Sequence, residues 1–384
     1  MSHPSEYEQA AWESLQQFSG GRPLSRGLRN LGDQVAAGGA LAGERASEYF
    51  DRHPKSAALA HRGKEIASSA VQRTGKGMKV AKDVLPDWTG QAAGSAQRTL
   101  GKLSRAGLSP KRVVTKHQKK GHPVDSLRDL RRLDLEQIDE VRGRGSAWYY
   151  PAFAALSGAG AGLVISGGQL VVVASAGAGT APAAPAVLGA VAADASVILG
   201  LSSRAVGQVA LFYGYDPEDP AEKLFVMSVV NAGTAVSATA KTAAMRDISK
   251  LTQALVRGKT WAILNESIVS RVAGEFAKAF GVRLTKQGLG KLLPAVGIAL
   301  GGTFNWATLE GIVDAADFAY RRRFLLDKFP ELQGEAGPYR AEEEDYDAAD
   351  TTISVLETLA EAGGPDLVGE VDHDDRGPSS HPTP

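Results

Sequence analysis

Three carboxylates, Glu310, Asp314 and Asp317, recur at spacings of four and three, which places them on one helix face. Such a row suits a divalent cation or acid–base chemistry; it equally suits the polar face of an amphipathic helix. Arg321 extends the same stripe and can pair with Asp317. Other chemistry is thinly represented. Cysteine is absent, which excludes disulfides, zinc–thiolate sites and a catalytic thiol. Histidine occurs at 3, 53, 61, 117, 122, 373 and 381, so none lies between 123 and 372. That span therefore has no Ser-His-Asp triad, histidine zinc site or Glu-x-x-His di-iron motif. His117 and His122, five apart in a basic segment, are expected to be solvated. Gly258-Lys259-Thr260 ends like a phosphate loop, but Gln253 stands where the first glycine is required. No cofactor, metal or reaction is assigned.

The elements that must position these residues follow from charge and punctuation. Zero net charge conceals three regions. Residues 1–145 carry 25 Lys/Arg against 16 Asp/Glu, whereas residues 331–384 carry 2 against 15. The expected organisation is a partly disordered, basic-leaning arm over 1–83, a helical domain over 84–330, and an acidic, mostly disordered tail over 331–384. Within the tail, 341–362 has a helical pattern with Val355, Leu356 and Leu359 on its apolar edge. The N-terminus is polar and lacks the apolar core of a secretory signal, which places the start of the chain in the cytoplasm.

No acidic residue occurs from Trp88 to Val124. Ser109-Pro110 reads as a helix N-cap and first position, and Gly121 as the stop. Asp134 with Gln137 reads as a capping box. Residues 145–193 are entirely uncharged. Trp148, Tyr149 and Tyr150 open this run as interface aromatics. Ala154, Gly158, Gly162 and Ser166 then recur every fourth residue, a spacing that lets a second helix approach closely. Thr180 to Pro185 reads as a tight connection, because its prolines interrupt a helix. A second apolar stretch to Tyr213 completes a hairpin over about 148–213, interrupted by Asp194 and Arg204. After the Tyr213-Gly214-Tyr215-Asp216-Pro217 punctuation, Asp219, Pro220 and Glu222 read as N-cap, first position and capping-box partner. The following helix is uncharged over 224–240. Gly297, Gly301 and Asn305 form another four-residue ladder in the uncharged stretch 292–309.

The expected fold is all-α: a multi-helix bundle containing a Gly/Ala-rich apolar hairpin, flanked by disordered arms. A membrane-inserted hairpin and a buried hairpin in a soluble bundle share these features, since Gly and Ala contribute little transfer energy. The expected function is that of a non-enzymatic scaffold or accessory factor at the cytoplasmic membrane or on its cytoplasmic face. A soluble, cytoplasmic interaction scaffold and a hydrolase-like enzyme using the carboxylate row are the alternatives. Lys111, Arg112, Lys116, Lys119 and Lys120, with the three aromatics, are the candidate contacts to membrane lipid or a membrane protein. The basic stretch has no aromatic residue for base stacking, so no nucleic acid is expected. Intramolecular contact with the acidic tail, or plain solvation, would also account for it. Gly158, Gly162, Gly297 and Gly301 are the candidate helix-packing positions, and such small-residue faces also suit a homo-oligomer.

The order of several segments resembles the EcsC family of bacterial proteins: GLSPKRVVTKHQKKG (107–121), LRDLRRLDLEQIDEV (127–141), YGYDPEDPAEKLFV (213–226), KLLPAVGIALGGTFNWATL (291–309) and FAYRRRFL (318–325). The resemblance covers roughly 84–329. The Lys-Pro-Gly-Asn piece is also similar to a helical domain appended to some bacterial GTPases, although no GTPase domain accompanies it here. The family is named after a gene beside an ABC transporter. The resemblance implies a helical, often membrane-associated protein, and it carries no catalytic residue to any position here. The long basic arm and acidic tail depart from the family core.

Overall fold

The computed structural model describes residues 3–16, 108–143, 150–151, 180–257, 264–289, 297–335, 350 and 352–367, with side chains other than those of 180–194, 285–289, 297–304 and 334–335. Trp148, Tyr149, Gly158, Gly162 and the first arm of the expected hairpin lie outside these residues, as do 17–107. Every regular element among the described residues is helical, as the sequence leads one to expect.

The helices are α1 (Glu6–Gln16), α2 (Pro110–Lys119), α3 (Leu135–Arg142), α4 (Thr180–Phe212), α5 (Pro220–Thr234), α6 (Ala238–Val256), α7 (Glu266–Leu289), α8 (Gly297–Lys328) and α9 (Val355–Glu361). Short 3-10 turns occupy Leu127–Arg132 and Pro330–Glu335. The boundaries follow local chemistry. Ser109 Oγ accepts from Arg112 N at the start of α2, and Gly121 adopts φ +85° beyond its end. Gln137 Oε1 accepts from Asp134 N at the start of α3. Ser237, whose Oγ accepts from Ala240 N, starts α6, so the uncharged stretch 224–240 is two helices rather than one.

Two other boundaries also depart from expectation. Thr180 to Pro185 is not a connection but the opening of α4. Pro182 falls among the first positions, whose N–H groups have no intrahelical acceptor, so only Pro185 costs a helix bond. Part of the region assigned to the acidic tail packs on the body: Val355, Leu356 and Leu359 of α9 are buried. They sit against α5, α6 and α7.

The core is built around α8, flanked by α5 and α4. α5 and α8 run antiparallel, since Glu222 meets Arg323 at one end and Gly233 meets Ile312 at the other. Tyr213, just past α4, lies against Tyr320 and Phe324 of α8, and α4 packs along α8 from there, so those two run side by side in the same direction. α6 packs on α5, and α7 packs on α4 and α5. The terminal helix α1 is tied to the opposite edge: buried Glu8 accepts from Lys328 Nζ at 2.7 Å and from Leu135 N at 3.2 Å.

Candidate functional site

Tyr213, Gly214 and Tyr215, which open the Tyr213–Asp219 turn, form one buried assembly with Arg323 of the α8 arginine cluster. Gly214 takes φ +82° because the chain reverses between α4 and α5, and its carbonyl accepts from Arg131 Nε at 3.0 Å. Tyr215 is then sandwiched between guanidiniums, with Arg131 4.5 Å and Arg323 3.9 Å from its ring centroid. Its hydroxyl donates to Asp327 at 2.5 Å. Glu222, expected as a capping-box partner, turns inward instead. It accepts from Tyr320 Oη at 2.6 Å and from Arg323 Nη1 at 2.8 Å. Burial pushes the phenols of Tyr215 and Tyr320 well above their usual range, although Arg323 works in the other direction. Both therefore stay protonated donors. Each carboxylate here is matched to a donor, so the assembly is suited to holding the turn, α5 and α8 together rather than to moving protons.

The carboxylate row is dispersed. Glu310 and Asp314 are exposed, whereas Asp317 pairs with Arg142 of α3. Arg321 pairs with Asp139 of α3, not with Asp317. The C-terminal part of the stripe is thus joined to α3 by two ion pairs, and α3 supplies partners that helix spacing alone does not reveal. Among the described residues no group of three or more His, Asp or Glu is arranged to hold a metal ion.

The basic helix α2 turns Val113, Val114 and His117 inward and leaves Lys111, Arg112, Lys116, Lys119 and Lys120 exposed. Lys116 Nζ lies 5.1 Å from the Phe212 ring, and Lys120 bridges to Glu140 at 2.9 Å. Tyr150, expected at an interface, is buried in the core at 5% exposure.

His117 is also buried rather than solvated, because it shares the inward face of α2 with the two valines. Its Nδ1 lies 3.0 Å from His122 Nδ1. Burial, then His122 and Lys116, lowers it from 6.5 to about 4. Its contribution to stability is complete above pH 6.5 and is lost as pH falls to 4, roughly 3 kcal/mol in all. Asp247, raised from 3.8 to about 6 by burial, acts oppositely: its contribution is complete below pH 3.8 and is lost as pH rises through 6. The two offset each other between pH 4 and 6. His117→Leu should expose the Asp247 effect, so the variant gains stability relative to wild type on going from pH 7 to pH 4. Urea midpoints across that range check this; parallel profiles for the two proteins would refute it.

The other distinctive region is one end of the bundle. α5 stops level with Gly311–Ile312, but α8 continues back to Gly297, about 21 Å at 1.5 Å per residue. α4 packs on α8 in the same direction and begins at Thr180. Residues 180–193 of α4 and 297–309 of α8 carry no charge, so each of these two neighbouring helices opens with an uncharged stretch. Asp194 and Glu310 are the first charges on each. The basic helix does not lie there. Gly207, where α2 enters, faces Leu108 of the chain leading into α2, about 20 Å along α4 from Asp194. One described helix window, Ala195–Phe212, is long and apolar enough to cross a membrane, but it is two-thirds buried in the bundle, as a core helix of a soluble protein would be.

Gly297 and Gly301 fall in the extended part of α8. The close helix approach that can be measured is elsewhere: a Cβ on Gly233 would stand 2.4 Å from Ile312 Cα, and one on Gly311 would stand 3.1 Å from Gly233 O. Gly233 belongs to no four-residue ladder of small residues, the signal that pointed to the other glycines, whereas Gly311 lies in one, Ala307, Gly311, Ala315 and Ala319, that sequence reading passed over. Arg283, Asn231 and Asp247 also escaped sequence reasoning, since nothing local marks a polar residue as buried.

Comparison with known proteins supplies the family. Residues 57–325 match the EcsC protein family. An uncharacterised Bacillus subtilis (strain 168) protein, YdbA, is 24% identical over 231 residues, covering 59% of this chain and 73% of its own. No solved structure matches. The family match spans well over half of the chain and contains the Tyr213–Asp219 turn and the arginine cluster just described, so this protein belongs to the EcsC family.

Proposed function

We propose that this protein is a non-enzymatic accessory or scaffold protein of the cytoplasmic membrane face, entering the bilayer end-on through the N-terminal halves of α4 and α8. The observation that carries the reading is that α4 and α8 pack on each other in one direction, are far longer than α5, and each open with a charge-free stretch. About 20 Å of uncharged helix is too short for the roughly 30 Å hydrocarbon core, so the ends penetrate without spanning. Arg283 of α7 binds Asn231 and Thr234 at the end of α5, and α7 continues past it through Lys286 to Leu289. That carries a lysine toward head-group level, where each basic residue contributes about 1 kcal/mol. The exposed face of α2 lies at the far end of α4 and serves another contact.

Co-sedimentation with phosphatidylcholine vesicles, with and without phosphatidylglycerol, tests the reading. Leu188→Asp with Leu300→Asp should weaken binding by at least about 100-fold, given roughly 3 kcal/mol for each aspartate at membrane depth. Lys111→Glu with Arg112→Glu and Lys119→Glu should change it less than about twofold. The reverse pattern would replace end-on entry by attachment through α2. The burial of Ala195–Phe212 favours a second reading, a soluble scaffold whose uncharged ends join copies of the chain. Monodisperse soluble oligomers without vesicle binding would select it.

A further inference from the structure

Asp350 enters the body from a C-terminal strap, residues 350–367, and occupies a site built from three helices. Its Oδ2 accepts from Val236 N at 2.9 Å and Ser237 N at 3.1 Å, two amides of the α5–α6 connection just before α6. Its Oδ1 stands 3.1 Å from Arg283 Nε, with the two side chains 0% and 1% exposed. Arg283 is itself held by Asn231 Oδ1 at 2.7 Å and Thr234 Oγ1 at 3.3 Å. A fully buried arginine, oriented by two polar side chains and joined to two backbone amides, is a donor set that binds phosphate oxygens as well as carboxylates. The chain fills it with its own carboxylate.

We propose that this cradle is an anion site for a phosphate-bearing ligand, and that the acidic strap holds it closed until such a group displaces Asp350. Three features support exchange. The strap is short: α9 has seven residues, too few to be stable alone, so it folds only while docked. Its polar hold is local. Asp247 accepts from Ser354 Oγ at 3.1 Å and Val355 N at 2.7 Å, Asn231 Nδ2 donates to Ile353 O at 2.7 Å, and Arg271 Nη1 donates to Ala362 O at 3.0 Å. The cradle also sits at the end of α5, where α4 and α8 leave the body. On the end-on reading above, on which the lipid form of this inference rests, that is head-group level. The strap belongs to the region 331–384 with 15 acidic and 2 basic residues, which an anionic surface repels.

Hydrogen exchange on the full-length protein tests this, with inorganic phosphate, phosphatidylcholine vesicles and phosphatidylcholine–phosphatidylglycerol vesicles as separate additions. Amides 355–362 should exchange at least tenfold faster with the anionic vesicles while α5 and α8 stay protected. The same release by millimolar inorganic phosphate would identify a general phosphate site; release only by anionic vesicles would identify a lipid head group. Asp350→Asn, which keeps the shape but not the charge, should lower the phosphate or lipid concentration needed by about tenfold. If the protein binds anionic vesicles and the strap amides are unchanged with every addition, the inference is wrong and the membrane reading stands. If no vesicle binds but phosphate releases the strap, the membrane reading fails and the anion site stands. If neither vesicles nor phosphate has an effect, both fall.

Discussion

Arg323→Ala should destabilise the protein by about 3–5 kcal/mol, the range for removing one partner of a buried ion pair. Arg323 is 5% exposed, and its guanidinium does three things at once. It donates to Glu222 at 2.8 Å, stacks 3.9 Å from the Tyr215 centroid, and lies 5.0 Å from that of Phe225. Alanine would leave Glu222 buried with only the Tyr320 hydroxyl as donor and would remove the face on which Tyr215 rests. Glu222→Gln should cost less, because the amide oxygen still accepts from Arg323 while its NH2 can donate to the Tyr320 hydroxyl oxygen. A double variant that replaces both charges with apolar side chains, Glu222→Leu with Arg323→Met, should recover part of the loss. Urea unfolding of Glu222→Leu, Arg323→Met and the double variant closes the cycle. A loss below about 1 kcal/mol for Arg323→Ala would mean that water reaches this assembly.

Gly233→Ala should be the most damaging single-methyl addition among the described glycines of the body. The new Cβ would stand 2.4 Å from Ile312 Cα and 2.9 Å from Ile312 N. These are backbone atoms of the facing helix, so no rotamer change relieves the clash, and α5 and α8 must separate. Overpacking typically costs 1–3 kcal/mol, and a backbone clash belongs at or beyond about 3 kcal/mol. Gly207→Ala makes the useful contrast, because its 2.9 Å neighbour is the Cδ1 end of Leu108, which can rotate away. Thermal unfolding should lower the midpoint of Gly233→Ala well below that of Gly207→Ala. Equal midpoints would show that the α5–α8 crossing is looser than drawn.

Much of the local structure was legible beforehand, because it depends on neighbours in sequence. Ser109 caps α2, Asp134 and Gln137 open α3, Gly214 ends α4 with positive φ, and Pro220 starts α5. The apolar edge Val355, Leu356, Leu359 is the buried edge of α9. The candidate site was less legible. Spacing put Asp317 and Arg321 on one face, but their partners are Arg142 and Asp139, 175 and 182 residues away. Glu222 satisfies the capping-box spacing and yet serves a buried arginine a hundred residues later in the chain. A side chain with two local options takes the one that removes the larger unpaired charge from the interior.

By itself, then, the sequence determined the helical class, several helix ends, the EcsC resemblance and the charge-free stretches, because capping, glycine conformation and the absence of charge are local properties. Only the tertiary structure decided which of those stretches has α5 beside it. Ala195–Phe212 is apolar and two-thirds buried, and α4 and α8 are both longer than the α5 they flank. Hydropathy cannot make that distinction, since apolar side chains are equally satisfied by a protein interior and by lipid. Helix length and register make it: α5 has 15 residues, while its neighbours α4 and α8 have 33 and 32, so their ends have no α5 beside them.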